Sequence, residues 1–137
     1  MAKITNKNIL VVDDSMTNLV LLEALLTDIG YKVRTACSPD IANRIMKRWW
    51  PDLILIDLLM PGENDGFSFF RQLKQNEKQK NIPVAIVSAL EDKKAIEHAI
   101  SLGAMDYMLK PVDANLLVEK VNTIFSFHYK TTETRLI

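Results

Sequence analysis

The sequence is short of cysteine, of net charge and of long apolar runs, and each shortage excludes a class of protein. Cys37 is the single cysteine among 137 residues. It has no partner for an internal disulfide and no accompanying Cys/His spacing, which points to a reducing compartment and away from a structural zinc site. The histidines, His98 and His128, are too far apart in the chain to suggest a metal-binding pair. Lys plus Arg and Asp plus Glu number 17 each, so the net charge is zero. Such a chain has no global attraction to nucleic acid or acidic lipid. No apolar run approaches the ~20 residues of a membrane span. The polar stretch Met1 to Asn8 lacks the apolar centre of a signal peptide. A cytoplasmic location is expected. Internal repeats, low-complexity stretches and linkers are missing, as are a DNA-reading helix and a nucleotide-binding loop.

What is present is the balance of a globular domain, 48% apolar and 25% charged, in a chain of one-domain length. A chain of this length buries about two-thirds of its unfolded surface. Five short apolar runs are candidate strands: Ile9-Leu10-Val11-Val12, Lys32-Val33-Arg34-Thr35-Ala36, Leu53-Ile54-Leu55-Ile56, Val84-Ala85-Ile86-Val87 and Tyr107-Met108-Leu109. They read as continuous runs rather than alternating ones, which is the pattern of strands covered on both faces.

Helical spacing fills the gaps. Leu19, Leu22, Leu26 and Ile29 precede Gly30, a natural helix stop. Ser38 and Pro39 open a second helix as cap and first residue, with Ile41, Ile45 and Trp49 on its inner stripe and Pro51 closing it. A third helix is expected from about Gly66 to Glu77, with Phe69, Phe70 and Leu73 inward. A fourth is expected from about Asp92 to Leu102, with Ala95, Ile96, Ala99 and Ile100, and it stops at Gly103. The fifth starts near Asp113 and carries Leu116, Leu117, Val121, Ile124 and Phe125. One ring of Trp49-Trp50 should complete the second helix's core face. The domain is expected to span 1–129, with 130–137 as a flexible tail. Five alternations of strand and helix mean βαβ units and a doubly wound parallel sheet, in which ligands bind beyond the carboxyl ends of the strands.

The endings of the runs carry the chemistry. The first run stops at Asp13-Asp14, the third at Asp57, the fourth at Ser88 and the fifth at Lys110. Taken singly, each has an ordinary reading: a helix-capping aspartate, a solvated loop aspartate, a capping serine, a solvated lysine. In a parallel sheet they meet at one edge. Crowded carboxylates repel and raise one another's pKa unless a cation intervenes. Hard oxygen ligands with an open shell favour Mg2+ or Mn2+ over zinc. A carboxylate held at the end of a buried strand can attack phosphorus, and a hydroxyl and an ammonium can hold the phosphoryl oxygens.

These segments resemble a known family. Ile9 to Ser15, Pro51 to Pro61, Ile82 to Ala89 and Gly103 to Pro111 are together similar to the response-regulator receiver domain of two-component signalling, over about residues 8 to 128. The resemblance implies a flavodoxin-like doubly wound sheet of strand order 2-1-3-4-5. It implies that Asp57 is the phospho-acceptor, Asp14 a direct Mg2+ ligand and Asp13 a ligand acting mainly through water. The backbone carbonyl of Leu59 would complete the protein ligands. Ser88 would follow the phosphoryl group, Lys110 would pair with it, and Tyr107 would be the aromatic switch. A cis peptide before Pro111 is also implied. The donor would be a phosphohistidine on a sensor histidine kinase or a histidine phosphotransfer protein. A homodimer through the fourth helix, fifth strand and fifth helix is the expected self-association, with no direct nucleic-acid or membrane binding.

Two features depart from the family pattern. Gly62-Glu63-Asn64-Asp65 makes the loop before Gly66 slightly long. Leu59 and Leu90 flank the phosphoryl position where polar residues often assist water, so slow hydrolysis is expected. Lys93, Lys94, Glu97 and His98 should form a solvated face, and Phe127 and Tyr129 lie beyond the clear fifth-helix stripe. The alternatives are a degenerate receiver that binds partners without phosphorylation, a haloacid-dehalogenase-type phosphatase and a flavodoxin. The second wants an aspartate where Leu59 stands. The third wants a hydroxyl- and glycine-rich loop where Asp13-Asp14-Ser15-Met16 stands.

Overall fold

The computed structural model describes residues 6–60 and 65–136, with side chains through residue 128. The slightly long loop before Gly66 lies mostly outside the described residues. Strands β1 (Asn8–Val12), β2 (Lys32–Ala36), β3 (Leu53–Ile56), β4 (Val84–Ser88) and β5 (Asp106–Leu109) alternate with helices α1 (Met16–Asp28), α2 (Pro39–Met46), α3 (Gly66–Gln75), α4 (Lys93–Ser101) and α5 (Ala114–Leu136). All strand pairs are parallel, in the order β2-β1-β3-β4-β5.

Side-chain alternation along the central strands splits the core into two layers. Leu10, Val12, Ile54, Ile56, Val84 and Ile86 face α2, α3 and α4. Ile9, Val11, Leu53, Leu55, Ala85 and Val87 face α1 and α5, where Leu22, Leu26, Leu117, Val121 and Phe125 meet them. Both faces of β1, β3 and β4 are dry, which is why these strands are unbroken apolar runs.

Helix caps set the connections. Ser15, Ser38, Asp65 and Asp92 each accept a backbone N–H of the helix that follows. Gly30 and Gly103, at φ 107° and 108°, end α1 and α4 in a conformation that only glycine adopts freely.

Several expectations need correction. The outer strand β2 is half exposed, with Lys32 and Arg34 exposed, because it is an edge strand with no neighbour on its far side among the described residues. The buried stripe of α2 is Ala42 and Met46, while Ile41, Ile45 and Trp49 pack half-buried beside it. The Arg34 guanidinium lies over the Trp49 ring at 5.4 Å, and Trp50 is exposed. Ile100 on α4 and Leu116 on α5 point to solvent, because each lies one step round the helix from the residue that is buried, Ala99 and Leu117. Helix α5 runs unbroken from Ala114 through Leu136. No glycine or proline interrupts residues 114–136.

Candidate phosphoryl-transfer site

The strand order reverses at β1, so β1 and β3 open a crevice at their carboxyl ends. The residues after these strands are pinned by the sheet itself. The Asp13 N–H donates to the Ala36 carbonyl at 3.0 Å, the Asp57 N–H to the Val12 carbonyl at 3.0 Å and the Lys110 N–H to the Ser88 carbonyl at 3.0 Å. Each side chain therefore leaves a backbone that is already fixed.

Asp13 and Asp57 are buried and Asp14 stands at the exposed rim. One carboxylate oxygen from each lies within 4.8 Å of the others. Lys110 bridges the buried pair, its Nζ 2.8 Å from Asp13 Oδ2 and 2.8 Å from Asp57 Oδ2. The Leu59 N–H donates to Asp57 Oδ1 at 2.9 Å and the Ser15 N–H to Asp13 Oδ1 at 2.9 Å. Neither aspartate caps α1; Ser15 does. Lys110 is correspondingly not a solvated lysine. Burial alone would lower its pKa, but the hydrogen bonds and charges of Asp13 and Asp57 outweigh that and raise it.

The donor set suits a hard divalent cation. Three carboxylates and one ammonium leave a formal charge of two negative, which one such ion balances. Asp14 accepts no protein hydrogen bond among the described residues and is open to solvent, so the crevice has room for an ion that keeps waters. Mg2+ or Mn2+ therefore fits the residues present.

Ser88 is buried at the end of β4, and its Oγ accepts the Leu90 N–H at 3.3 Å. The Tyr107 hydroxyl donates to the Leu90 carbonyl and lies beside Ser88. Burial raises the Tyr107 pKa, the Ser88 hydrogen bond partly offsets this, and the charges of Asp57 and Asp92 add to the rise. The Lys110–Pro111 peptide is cis. Leu59 is exposed beside Asp57, and Leu90 packs half-buried against the core.

Two residues at this site escaped the sequence reading. Asn18, in the first turn of α1, donates its side-chain amide to Asp13 Oδ2. Its signal was its place three residues after the Ser15 cap, where side chains commonly reach back. Gly66, the first residue of α3, presses against the Asp57 backbone. A Cβ there would lie 2.1 Å from the Asp57 carbonyl oxygen and 2.6 Å from the Leu58 Cα. Nothing local in the sequence marks that contact.

Sheet order and crevice place the chain in the flavodoxin-like doubly wound class. The profile of the response regulator receiver domain matches residues 9–122, and the chain belongs to that family. It is 39% identical over 127 residues to Response regulator PleD of Caulobacter vibrioides, covering 93% of this chain but 28% of that one. It is 35% identical to Protein PilH of Pseudomonas aeruginosa, covering 86% of this chain and 97% of that one. The chain thus spans just over a quarter of its PleD relative and nearly all of PilH. Among solved structures it resembles the signal receiver domain of a signal transduction histidine kinase from Syntrophus aciditrophicus, with a TM-score of 0.78, 32% identity and coverage of 88% and 90%. The receiver domain of Francisella response regulator 1452 superposes with a TM-score of 0.79 at 27% identity, covering 88% of this chain and 98% of that one. No helix among the described residues is long and apolar enough to cross a membrane.

Proposed function

We propose that this receiver takes a phosphoryl group from a phosphohistidine onto Asp57 in a Mg2+-dependent reaction, and that the modified domain switches a partner-binding surface. The observation that carries this reading is the state of Asp57. It is buried beside two more carboxylates, with one oxygen held by the Leu59 N–H and the other by Lys110. Such a nucleophile is fixed in direction before its substrate arrives.

A carboxylate oxygen of Asp57 attacks phosphorus. The P–N bond breaks, its electron pair stays with the imidazole, and an aspartyl phosphate results. When bound, the divalent ion supplies positive charge to the phosphoryl oxygens; Asp14, Asp57 and the Leu59 carbonyl would hold it, with Asp13 acting through water. Lys110 pairs with a second phosphoryl oxygen and the Ser88 hydroxyl donates to a third. Tyr107 is the switch residue, and its inward position on the Leu90 carbonyl is the arrangement expected after switching. Raising that state from 1% to 99% takes about 5.5 kcal/mol of differential stabilisation. The domain catalyses only its own phosphorylation and slow dephosphorylation. Its donor is a sensor histidine kinase or a histidine phosphotransfer protein, in the cytoplasm. Ile100, Met105, Leu109, Leu116 and Phe127 are exposed on α4, β5, α5 and the turn before β5, which favours a homodimer through that face.

The test is incubation with acetyl phosphate and Mg2+, read by intact mass, with Asp57→Asn as control. Wild type should gain one phosphoryl group and the variant none. Absence of any adduct, with beryllofluoride also without effect, would leave a phosphorylation-independent binding module instead.

A further inference from the structure

The start of α1 is hydrogen-bonded into a closed ring with Asp13. The Ser15 N–H donates to Asp13 Oδ1 at 2.9 Å, the Asn18 N–H donates to Ser15 Oγ at 3.2 Å, and the Asn18 side-chain amide returns to Asp13 Oδ2. Lys110 Nζ reaches the same Oδ2 at 2.8 Å. An ionised carboxylate has about four lone-pair sites. On Asp13 Oδ2, the Asn18 amide and the Lys110 ammonium occupy both. The Ser15 N–H occupies one of the pair on Oδ1. Asp57 is less engaged, with one donor on each oxygen. Asp14 has none among the described residues.

We infer that Asn18 determines which divalent ion this site prefers, by occupying the Asp13 oxygen that would otherwise ligate a cation directly. The inference rests on the Mg2+ site proposed above. With Oδ2 saturated, Asp13 contributes charge and one oxygen position, and the ion completes its shell with water. Mg2+ suits that arrangement, since it dehydrates reluctantly and demands a small octahedral shell. Ca2+ takes six to eight oxygens in flexible geometry and gains more from each extra protein oxygen. The amide thus acts against the larger ion. It is a positioning residue, acting through Asp13.

A purely structural role is the competing account, because a side chain at the third helical position that reaches back toward the cap stabilises the helix start. The two accounts differ in what they do to a ratio. Loss of a helix-start contact would weaken Mg2+ and Ca2+ binding by the same factor.

The experiment is calorimetric titration of the full chain with Mg2+ alone and with Ca2+ alone, for wild type, Asn18→Leu and Asn18→Ala. Leucine keeps the bulk, is a better helix former than asparagine and lacks the donor; alanine guards against a packing fault from leucine. Circular dichroism and melting in chelator establish that each variant folds. The preference for Mg2+ over Ca2+ should fall about tenfold in both variants, the scale of one hydrogen bond to a charged group, with Ca2+ binding tighter in absolute terms. A ratio equal to that of wild type, whether the affinities are unchanged or reduced in parallel, overturns the inference while leaving the phospho-acceptor reading intact. Failure of wild type to bind Mg2+ overturns both.

Discussion

Replacing Gly66 by alanine tests whether α3 and the loop after Asp57 are as closely joined as the structure has them. The new methyl would sit 2.1 Å from the Asp57 carbonyl oxygen, 2.8 Å from the Asp57 carbonyl carbon and 2.6 Å from the Leu58 Cα. The first distance is over an ångström short of ordinary contact, which begins at 3.4 Å. All three atoms are backbone, so no side chain can rotate away. The Asp57 N–H is bonded to Val12 in β1, so the strand cannot retreat without breaking its ladder. The start of α3 must move instead. Alanine is the better helix former by about 1 kcal/mol in a helix interior, and overpacking costs about 1–3 kcal/mol. At the first helical position the propensity gain is smaller than in the interior, so overpacking wins. A net loss of about 2 kcal/mol should lower the Tm of a domain of this size by about 6 °C. Displacement of the Asp57 backbone should also slow labelling by acetyl phosphate. Differential scanning calorimetry and time-resolved intact mass measure the two effects. A Gly66→Ala protein with the wild-type Tm and labelling rate would refute the close approach and, with it, the support of Asp57 by α3.

Lys110→Ala leaves Asp13 and Asp57 buried without their shared cation, at a cost of about 3 kcal/mol. Added Mg2+ should restore more stability to this variant than to wild type in urea unfolding; equal recovery would show that the carboxylates do not face the ion. The Lys110 pKa is raised above 10.5 in the folded protein. Its contribution is therefore complete below 10.5 and is lost as the pH climbs through the higher folded value. Wild type should lose more stability than Lys110→Met between neutral and strongly alkaline pH, and parallel curves would contradict the shift. Leu59→Asn places a hydrogen-bonding group beside Asp57, where Leu59 is now 49% exposed. The aspartyl phosphate should hydrolyse roughly tenfold faster, the effect of about one transition-state hydrogen bond. Equal lifetimes by radiolabel decay would show that the apolar flank does not set the rate of hydrolysis.

Much of this molecule was legible before folding. The runs Ile9 to Val12, Leu53 to Ile56 and Val84 to Val87 are unbroken because helices cover both faces of those strands, and burial of that kind writes itself into local composition. Ser38-Pro39, Gly30 and Gly103 announced their helix ends because caps and left-handed turns are met within a few residues. The polar residues closing the runs were visible for the same reason: a parallel sheet carries all its carboxyl ends to one edge.

Contacts between distant segments were decided only by the tertiary structure. Which face of α4 and α5 turned inward depended on where β5 and the neighbouring helices lay, so Ile100 and Leu116 read as core and are exposed. The sharing of Lys110 between Asp13 and Asp57 needed three strands in register. The pressure of Gly66 on the Asp57 and Leu58 backbone depended on how the start of α3 packs against the end of β3. The hold of Asn18 on Asp13 spans five residues, yet it too required the carboxylate to be fixed by the sheet before the amide could find it. Periodicity and capping are short-range consequences of backbone geometry and solvent, and the chain states them openly. The electrostatics of the crevice depend on atoms brought within hydrogen-bonding distance by a fold whose strand order no single segment encodes.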